Sequence, residues 1–277
     1  MASDTGKTLV FATANRNKLI EAAGVLGEGF RIELPADLGY TNDVPETHLT
    51  IRENAIEKAQ FVWDMFGRDC FADDTGLEVD VLDGAPGVYS ARYAGEPKNP
   101  VQNVRKLLRE LEGVPFAQRT ARFRCCIALI EKGELQEGDD AVALPEGGVA
   151  LQDGSIALPG GGVALSDGSI ALPGGGILRV FEGICEGHIA LEPQGELGFG
   201  YDPVFVPEGM EKTMAMLTLD EKNAISHRGR ALDMLAAHMG LARTEVSGAE
   251  ENVDYSEEKV SEESQEAKTG SESEASK

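Results

Sequence analysis

Positive charge is scarce in this chain. Its 277 residues hold 25 lysines and arginines against 48 acids, a formal net charge of −23. Proteins that bind a nucleic-acid polymer need a basic face, so the charge argues against that class of partner. A small polyanion is not excluded, because a few lysines and a metal ion reverse the field locally. Long apolar runs are missing as well. No stretch reaches the about 18 apolar residues of a membrane span. The opening Met1–Lys7 has no apolar core of the kind a secretory signal needs. Cysteine is sparse: Cys70, Cys125, Cys126 and Cys185 show no CxxC spacing, and three of them sit in apolar runs. They are expected to be reduced core residues of a cytoplasmic protein rather than zinc ligands. The sequence GxxxxGK[ST] is absent, which rules out a P-loop.

What is present is enough apolar residue, 42%, for a real core, in one large domain or two small ones. The most informative stretch is Cys70–Glu78. An apolar run ends at Asp73 and Asp74, Thr75-Gly76 follows, and Leu77, Val79 and Val81 then alternate with acids. The pattern predicts a strand, a tight exit and a second strand. Side chains alternate along a strand, so the two acids face opposite sides, one toward a pocket and its neighbour bracing the loop. Paired carboxylates are hard oxygen ligands of the kind that hold magnesium against phosphate oxygens.

Upstream, 7–13 reads as a buried strand and 19–26 as a helix, with Asn15 or Asn17 as its N-cap. The polar loop Ala14–Lys18 therefore joins a strand end to a helix start, where free N–H groups and the helix dipole favour an anion. Lys18 adds a full charge. A short strand is expected at 30–34 and a helix from 51 to about 65, with Thr50 and Glu53 spaced as a capping box. Lys58 falls on that helix. Further strands are expected at 121–130, 178–185 and 187–190, and helices at 99–111 and 231–239. Thr218 and Glu221 form a second capping-box pattern. Gly198 and Gly200 flank Phe199, which would let a flat ligand approach the backbone, with Phe199 stacking on a base and Tyr201 less directly. Lys222, His227 and Arg228 place three donors within seven residues.

Two segments stand apart, and no chemistry is expected in the first, which has no His, Cys, Lys or Arg. Residues 147–160 recur almost unchanged as 161–174, each copy with an Asp-Gly hairpin signal. Two copies are too few for a solenoid, so 139–176 is expected to be a hairpin-like or partly disordered insertion. Residues 245–277 hold eleven acids and three lysines and are expected to be a disordered acidic tail. The domain would then be 1–244.

Four segments taken together, Thr13–Lys18, Ala72–Leu77, Gly198–Asp202 and Ser226–Gly229, resemble the inosine/xanthosine triphosphate pyrophosphatases in order and context. Asp83–Tyr93 and Glu53–Ala59 are similar to that family too. The likeness covers about 7–133 and 177–242. It implies an elongated α/β fold with a long mixed β-sheet flanked by helices and the active site in a cleft between two lobes. It implies a homodimer that hydrolyses non-canonical purine triphosphates to the monophosphate and pyrophosphate, with magnesium. By resemblance Asp74 is the general base or orients the water, and Asp73 assists the metal or braces the loop. Glu46 joins Asp74 in holding the metal. Thr13, Ala14, Asn15, Arg16, Asn17, Lys18, Lys58 and Thr75 receive the substrate, its triphosphate above all. Phe199, Gly200, Tyr201, Asp202, Lys222, His227 and Arg228 match the base-recognition positions.

Overall fold

The computed structural model describes residues 7–27, 30–133, 168–172 and 175–241, together with the backbone of four short strands within 142–164. The acidic tail and most of the repeat lie outside the described residues.

The first half runs β1 (Lys7–Phe11), α1 (Arg16–Leu26), β2 (Phe30–Glu33), α2 (Ile51–Phe66), β3 (Cys70–Val79), β4 (Pro86–Gly87), α3 (Pro100–Glu110) and β5 (Thr120–Glu131). The second half runs β6 (Val142–Ala143), β7 (Val149–Leu151), β8 (Gly154–Ile156), β9 (Val163–Ala164), β10 (Ile170–Leu172), β11 (Gly176–Ile189), β12 (Phe205–Pro207), α4 (Leu219–Ile225) and α5 (His227–His238). One sheet has the order β2-β1-β3-β5-β11-β10-β9-β6, with β4 on β3 and β12 on β11; β7 and β8 pair separately. β1 is parallel to β2 and to β3, and the remaining pairs are antiparallel. This is the mixed α/β sheet flanked by helices that the sequence implies.

Alternation along β3 and β5 sorts side chains between two faces. Cys70, Ala72, Cys126, Ala128 and Ile130 pack against α2 through Ala55, Ala59, Val62 and Trp63. Phe71, Cys125, Ile127 and Leu129 pack against α1 and α5 through Ala22, Leu232 and Leu235. Farther along, Leu77, Val79 and Phe123 enter a third core with Leu107 and Leu111 of the α3 region. Phe11 and Phe71 stack with centroids 4.2 Å apart. Burying each such side chain contributes about 1.5–3 kcal/mol before entropy is counted. Asp73, Asp74 and Thr75 lie at the seam where the strand leaves the first two cores for the third.

Two expectations need correction. Thr75-Gly76 is not a turn: β3 is unbroken, and these residues pair with Cys125 and Arg124. Gly76 is glycine because a Cβ there would stand 2.6 Å from the Gly87 carbonyl oxygen and 2.7 Å from Ile51. The strands expected at 178–185 and 187–190 are one, β11, because Glu186 stays in register with Arg122. Part of the span expected as a hairpin-like or partly disordered insertion, 139–176, is described. Ile170–Leu172 are buried and pair with Gly176–Leu178.

The helix starts follow their caps. Thr50 Oγ1 accepts from the Glu53 N–H at 3.1 Å, but the Glu53 carboxylate takes the Thr50 hydroxyl instead of its backbone N–H, so the box is half made. At α4 the reciprocal box of Thr218 and Glu221 is complete. Ser226 then ends α4 and caps α5, accepting from the Gly229 N–H at 3.0 Å, so the second helix begins at His227 rather than at 231. Gly183 lets this helix start lie on β11, since a Cβ there would meet the His227 carbonyl oxygen at 2.0 Å. Among the described residues no helix is long and apolar enough to cross a membrane.

Candidate active site

The parity of β3 aims its two acids at different helices. Asp74 faces α2, where Lys58 Nζ donates to Asp74 Oδ1 at 3.0 Å and to Glu46 Oε1 at 2.7 Å. Glu46 lies in an irregular loop that α2 itself pins. The N–H and hydroxyl of Thr47 both donate to the Glu57 carboxylate at 2.7 Å, and the His48 N–H donates to Asn54 at 2.9 Å. Arg92 reaches within 3.9 Å of Glu46 from the loop after β4.

Asp73 faces α1 and α5 and is 1% exposed. It accepts from Lys18 Nζ at 2.9 Å and from Arg228 Nε at 3.0 Å. Arg228 also donates to Thr75 Oγ1 at 3.1 Å and to Glu21. Glu21 pairs with Lys222 at 2.7 Å, and Lys222 donates to Asp202 at 2.7 Å. Asp202 in turn accepts from the Phe199 N–H at 2.8 Å. The Phe199 ring centroid lies 4.6 Å from Lys222 Nζ and 5.6 Å from the Arg228 guanidinium carbon. Lys18, Lys58, Thr75, Phe199, Asp202, Lys222 and Arg228 are thus joined through the two adjacent acids, although they come from opposite ends of the sequence.

The two acids have opposite proton affinities. Burial pushes Asp73 upward, but Lys18, Arg228 and Lys58 overcome it and hold the carboxyl well below the usual range. At Asp74 burial, helped by Glu46, outweighs the pull of Lys58 and Lys18, and its carboxyl is raised. Asp73 is a permanent anion, and Asp74 is the better proton acceptor of the pair.

His227 is buried and stacked on Phe123, centroids 4.6 Å apart at 17°. Neither ring nitrogen has a hydrogen-bond partner. Burial first, then Arg228 and Lys222, lower its pKa well below 6.5, so the imidazole is neutral. An unfolded histidine takes up a proton below that value and the folded one refuses it, so stability is full above about pH 6.5 and falls as the medium is acidified. Urea midpoints of the wild type should drop more between about pH 7.5 and about pH 5.5 than those of His227→Phe. Equal drops would remove His227 from the account.

Some expected site residues have other duties. Tyr201 is 4% exposed, packs in the third core and donates its hydroxyl to the Ser90 carbonyl oxygen at 2.9 Å, so its ring is not a stacking surface. Gly198 and Gly200 have positive φ, 76° and 63°. A Cβ at Gly198 would stand 2.2 Å from Asp202 Oδ2, so that glycine admits the Asp202 carboxylate rather than a ligand. In the loop after β1, Asn15 is the cap. Its side chain accepts from the N–H of Asn17 at 2.9 Å and of Lys18 at 3.4 Å, so these two are not free. Its own N–H donates to Thr13 Oγ1 at 3.1 Å. Ala14 and Arg16 are exposed beside it. Glu21 and Glu57 were not anticipated. Glu21 lies three residues after Lys18 on α1, so the helical period was the available signal.

Four cations, Lys18, Lys58, Lys222 and Arg228, face five carboxylates, Glu21, Glu46, Asp73, Asp74 and Asp202. The cluster carries no surplus of positive charge for a polyanion. Glu46 and Asp74 converge on one point and are both hard oxygen donors, which suits a divalent cation that keeps other ligands from water or phosphate. Among the described residues there is no group of three or more His, Cys, Asp or Glu that could cage a metal. A two-carboxylate seat fits an ion shared with a ligand.

Fold and site together define an α/β protein whose mixed sheet presents interleaved carboxylates and cations at one seam. The chain belongs to the Ham1 family, whose model matches residues 9–149 and 163–238. The unmatched stretch between them, 150–162, is close to one copy of the repeat. Curated relatives include the dITP/XTP pyrophosphatase of Halalkalibacterium halodurans, 40% identical over 83% of this chain and 97% of its own. That of Bacillus subtilis is also 40% identical, over 83% and 96%. Among solved structures, the Ham1 protein of Staphylococcus aureus matches with a TM-score of 0.63 and 32% identity, covering 84% of this chain and 98% of its own. The nucleoside-triphosphatase and dITP/XTP pyrophosphatase of Mycobacterium abscessus matches with a TM-score of 0.57 and 35% identity, over 82% and 98%.

Proposed function

We propose that this protein hydrolyses inosine, deoxyinosine and xanthosine triphosphates to the monophosphate and pyrophosphate. The observation that carries the reading is Asp73, whose carboxylate joins Lys18 of the helix-start loop to Arg228 of the base-recognition segment. One buried group thereby sets the distance between a phosphate receptor and a base receptor. Relatives at 40% identity named for this activity support it.

Asp74, with its raised proton affinity, takes the proton of the attacking water. The water oxygen bonds to the α-phosphorus, and the bond from that phosphorus to the bridging oxygen breaks, releasing pyrophosphate. Lys18, Lys58 and the Thr13–Lys18 loop receive the phosphate oxygens. Glu46 and Asp74 would hold a divalent cation, magnesium in our reading, which neutralises phosphate charge. Phe199 offers a stacking face. Neutral His227, with both nitrogens unpartnered, and Arg228 supply donors for a 6-oxo group. Adenine's amine would leave those donors unmet, at about 1–3 kcal/mol each, so two mismatches amount to about a hundredfold or more in selectivity. The family resemblance supports a homodimer. A cytoplasmic setting is supported by four free, buried cysteines.

The deciding assay is pyrophosphate release from inosine triphosphate and from ATP, with and without magnesium. Preference for inosine triphosphate and dependence on the metal are expected. Tight binding without release would instead make the protein a silent nucleotide binder.

Glu57 gives a further expectation. Glu57→Ala frees the loop that carries Glu46, so the magnesium concentration for half-maximal rate should rise about tenfold or more, with little change in kcat at saturating metal. An unchanged metal requirement would show that the clamp does not matter.

A further inference from the structure

Lys58 stands where a cation shared by Glu46 and Asp74 would stand. Its ammonium bridges Glu46 Oε1 at 2.7 Å and Asp74 Oδ1 at 3.0 Å, and the residue is only 4% exposed. The backbone that carries each carboxylate is held. Asp74 sits inside β3, paired with Cys126 of β5, and the Glu46 loop is tied to α2 by Glu57 and Asn54. The lysine is the adaptable member, a compact charge on a four-carbon stem. Two cations cannot occupy one point between the same two oxygens, because each would lose ligands and meet like charge.

We infer that Lys58 is a captive counter-ion that keeps divalent metal out of the free protein, and that the site takes metal and triphosphate together. The phosphates receive Lys58 as the ion takes its place between Glu46 and Asp74. This rests on the functional reading of those two acids given above and adds a binding order to it. The coupling is reciprocal: the triphosphate raises metal affinity by the factor by which the metal raises triphosphate affinity. A protein with so many exposed acids thereby keeps its reactive pair from loading with metal before substrate arrives.

The test is a titration of the full chain with Mn2+, followed by electron paramagnetic resonance, with and without α,β-imido inosine triphosphate. Wild type and Glu46→Gln should titrate alike in Mn2+ alone, since only adventitious acids bind. With the analogue, wild type should gain a site at least about 100-fold tighter that Glu46→Gln lacks. Lys58→Met should bind Mn2+ without nucleotide at least about tenfold more tightly than wild type, and lose that gain when Glu46→Gln is added. The inference is overturned if free wild type already has a tight Mn2+ site that depends on Glu46, or if Lys58→Met gains nothing. Should Lys58→Met not fold, the comparison of wild type with Glu46→Gln decides by itself. A protein that neither binds the analogue nor hydrolyses inosine triphosphate would sink the proposed function. The metal-only comparison would still support or overturn the role of Lys58.

Discussion

Asp74→Asn should bind inosine triphosphate and fail to turn it over. Loss of a positioned general base lowers kcat by about 10²–10⁴-fold. The fold should not suffer. Asp74 is held in an environment that disfavours its charge, so a neutral side chain of the same shape relieves that cost, and Lys58 keeps Glu46 as a partner. The measurement pairs pyrophosphate release with calorimetric binding of the nucleotide and a thermal melt. A variant with wild-type kcat would remove Asp74 from the chemistry; a variant that unfolds would make it a structural residue.

The neighbouring substitution should have the opposite character. Asp73→Asn removes the carboxylate between Lys18 and Arg228 while both remain in place. Breaking a buried, charged contact of this kind costs about 3–5 kcal/mol. The sign with pH follows from the lowered proton affinity of Asp73: its stabilising contribution is present above the usual carboxylate range and lost as pH falls through that range toward its folded value. Urea unfolding at neutral pH should therefore show a large loss for Asp73→Asn, and the loss should shrink in acid. KM should rise for every triphosphate, because Lys18 and Arg228 lose their common anchor. A fully stable Asp73→Asn with normal KM would show that the bridge does not set the distance between phosphate and base receptors. The contrast is sharp because the two residues are adjacent: one strand, one residue apart, with different faces.

Much of this contrast is legible before any coordinates. Alternation alone says that Asp73 and Asp74 diverge, and capping chemistry places a helix start beside Lys18. What misled was local turn chemistry at Thr75-Gly76. The glycine there answers a close approach by Gly87 and Ile51, residues distant in sequence, and not a bend. Gly198 misled for the same reason, since its neighbour in space is the Asp202 carboxylate. Tyr201 looks like a recognition aromatic within its motif, yet its hydroxyl is committed to Ser90 more than a hundred residues earlier. Position-specific partners of this kind have no periodic signature.

The approximate positions of the main strands and helices, the acidic character and the kinds of side chain available for phosphate chemistry were settled by the amino-acid sequence alone, because periodicity, caps and composition act over a few residues. Which acid is held ionised and which has its proton affinity raised was decided only by the tertiary structure. That assignment depends on burial and on cations delivered by α1, α2 and α5, and electrostatic energies are set by distance in space rather than by separation along the chain.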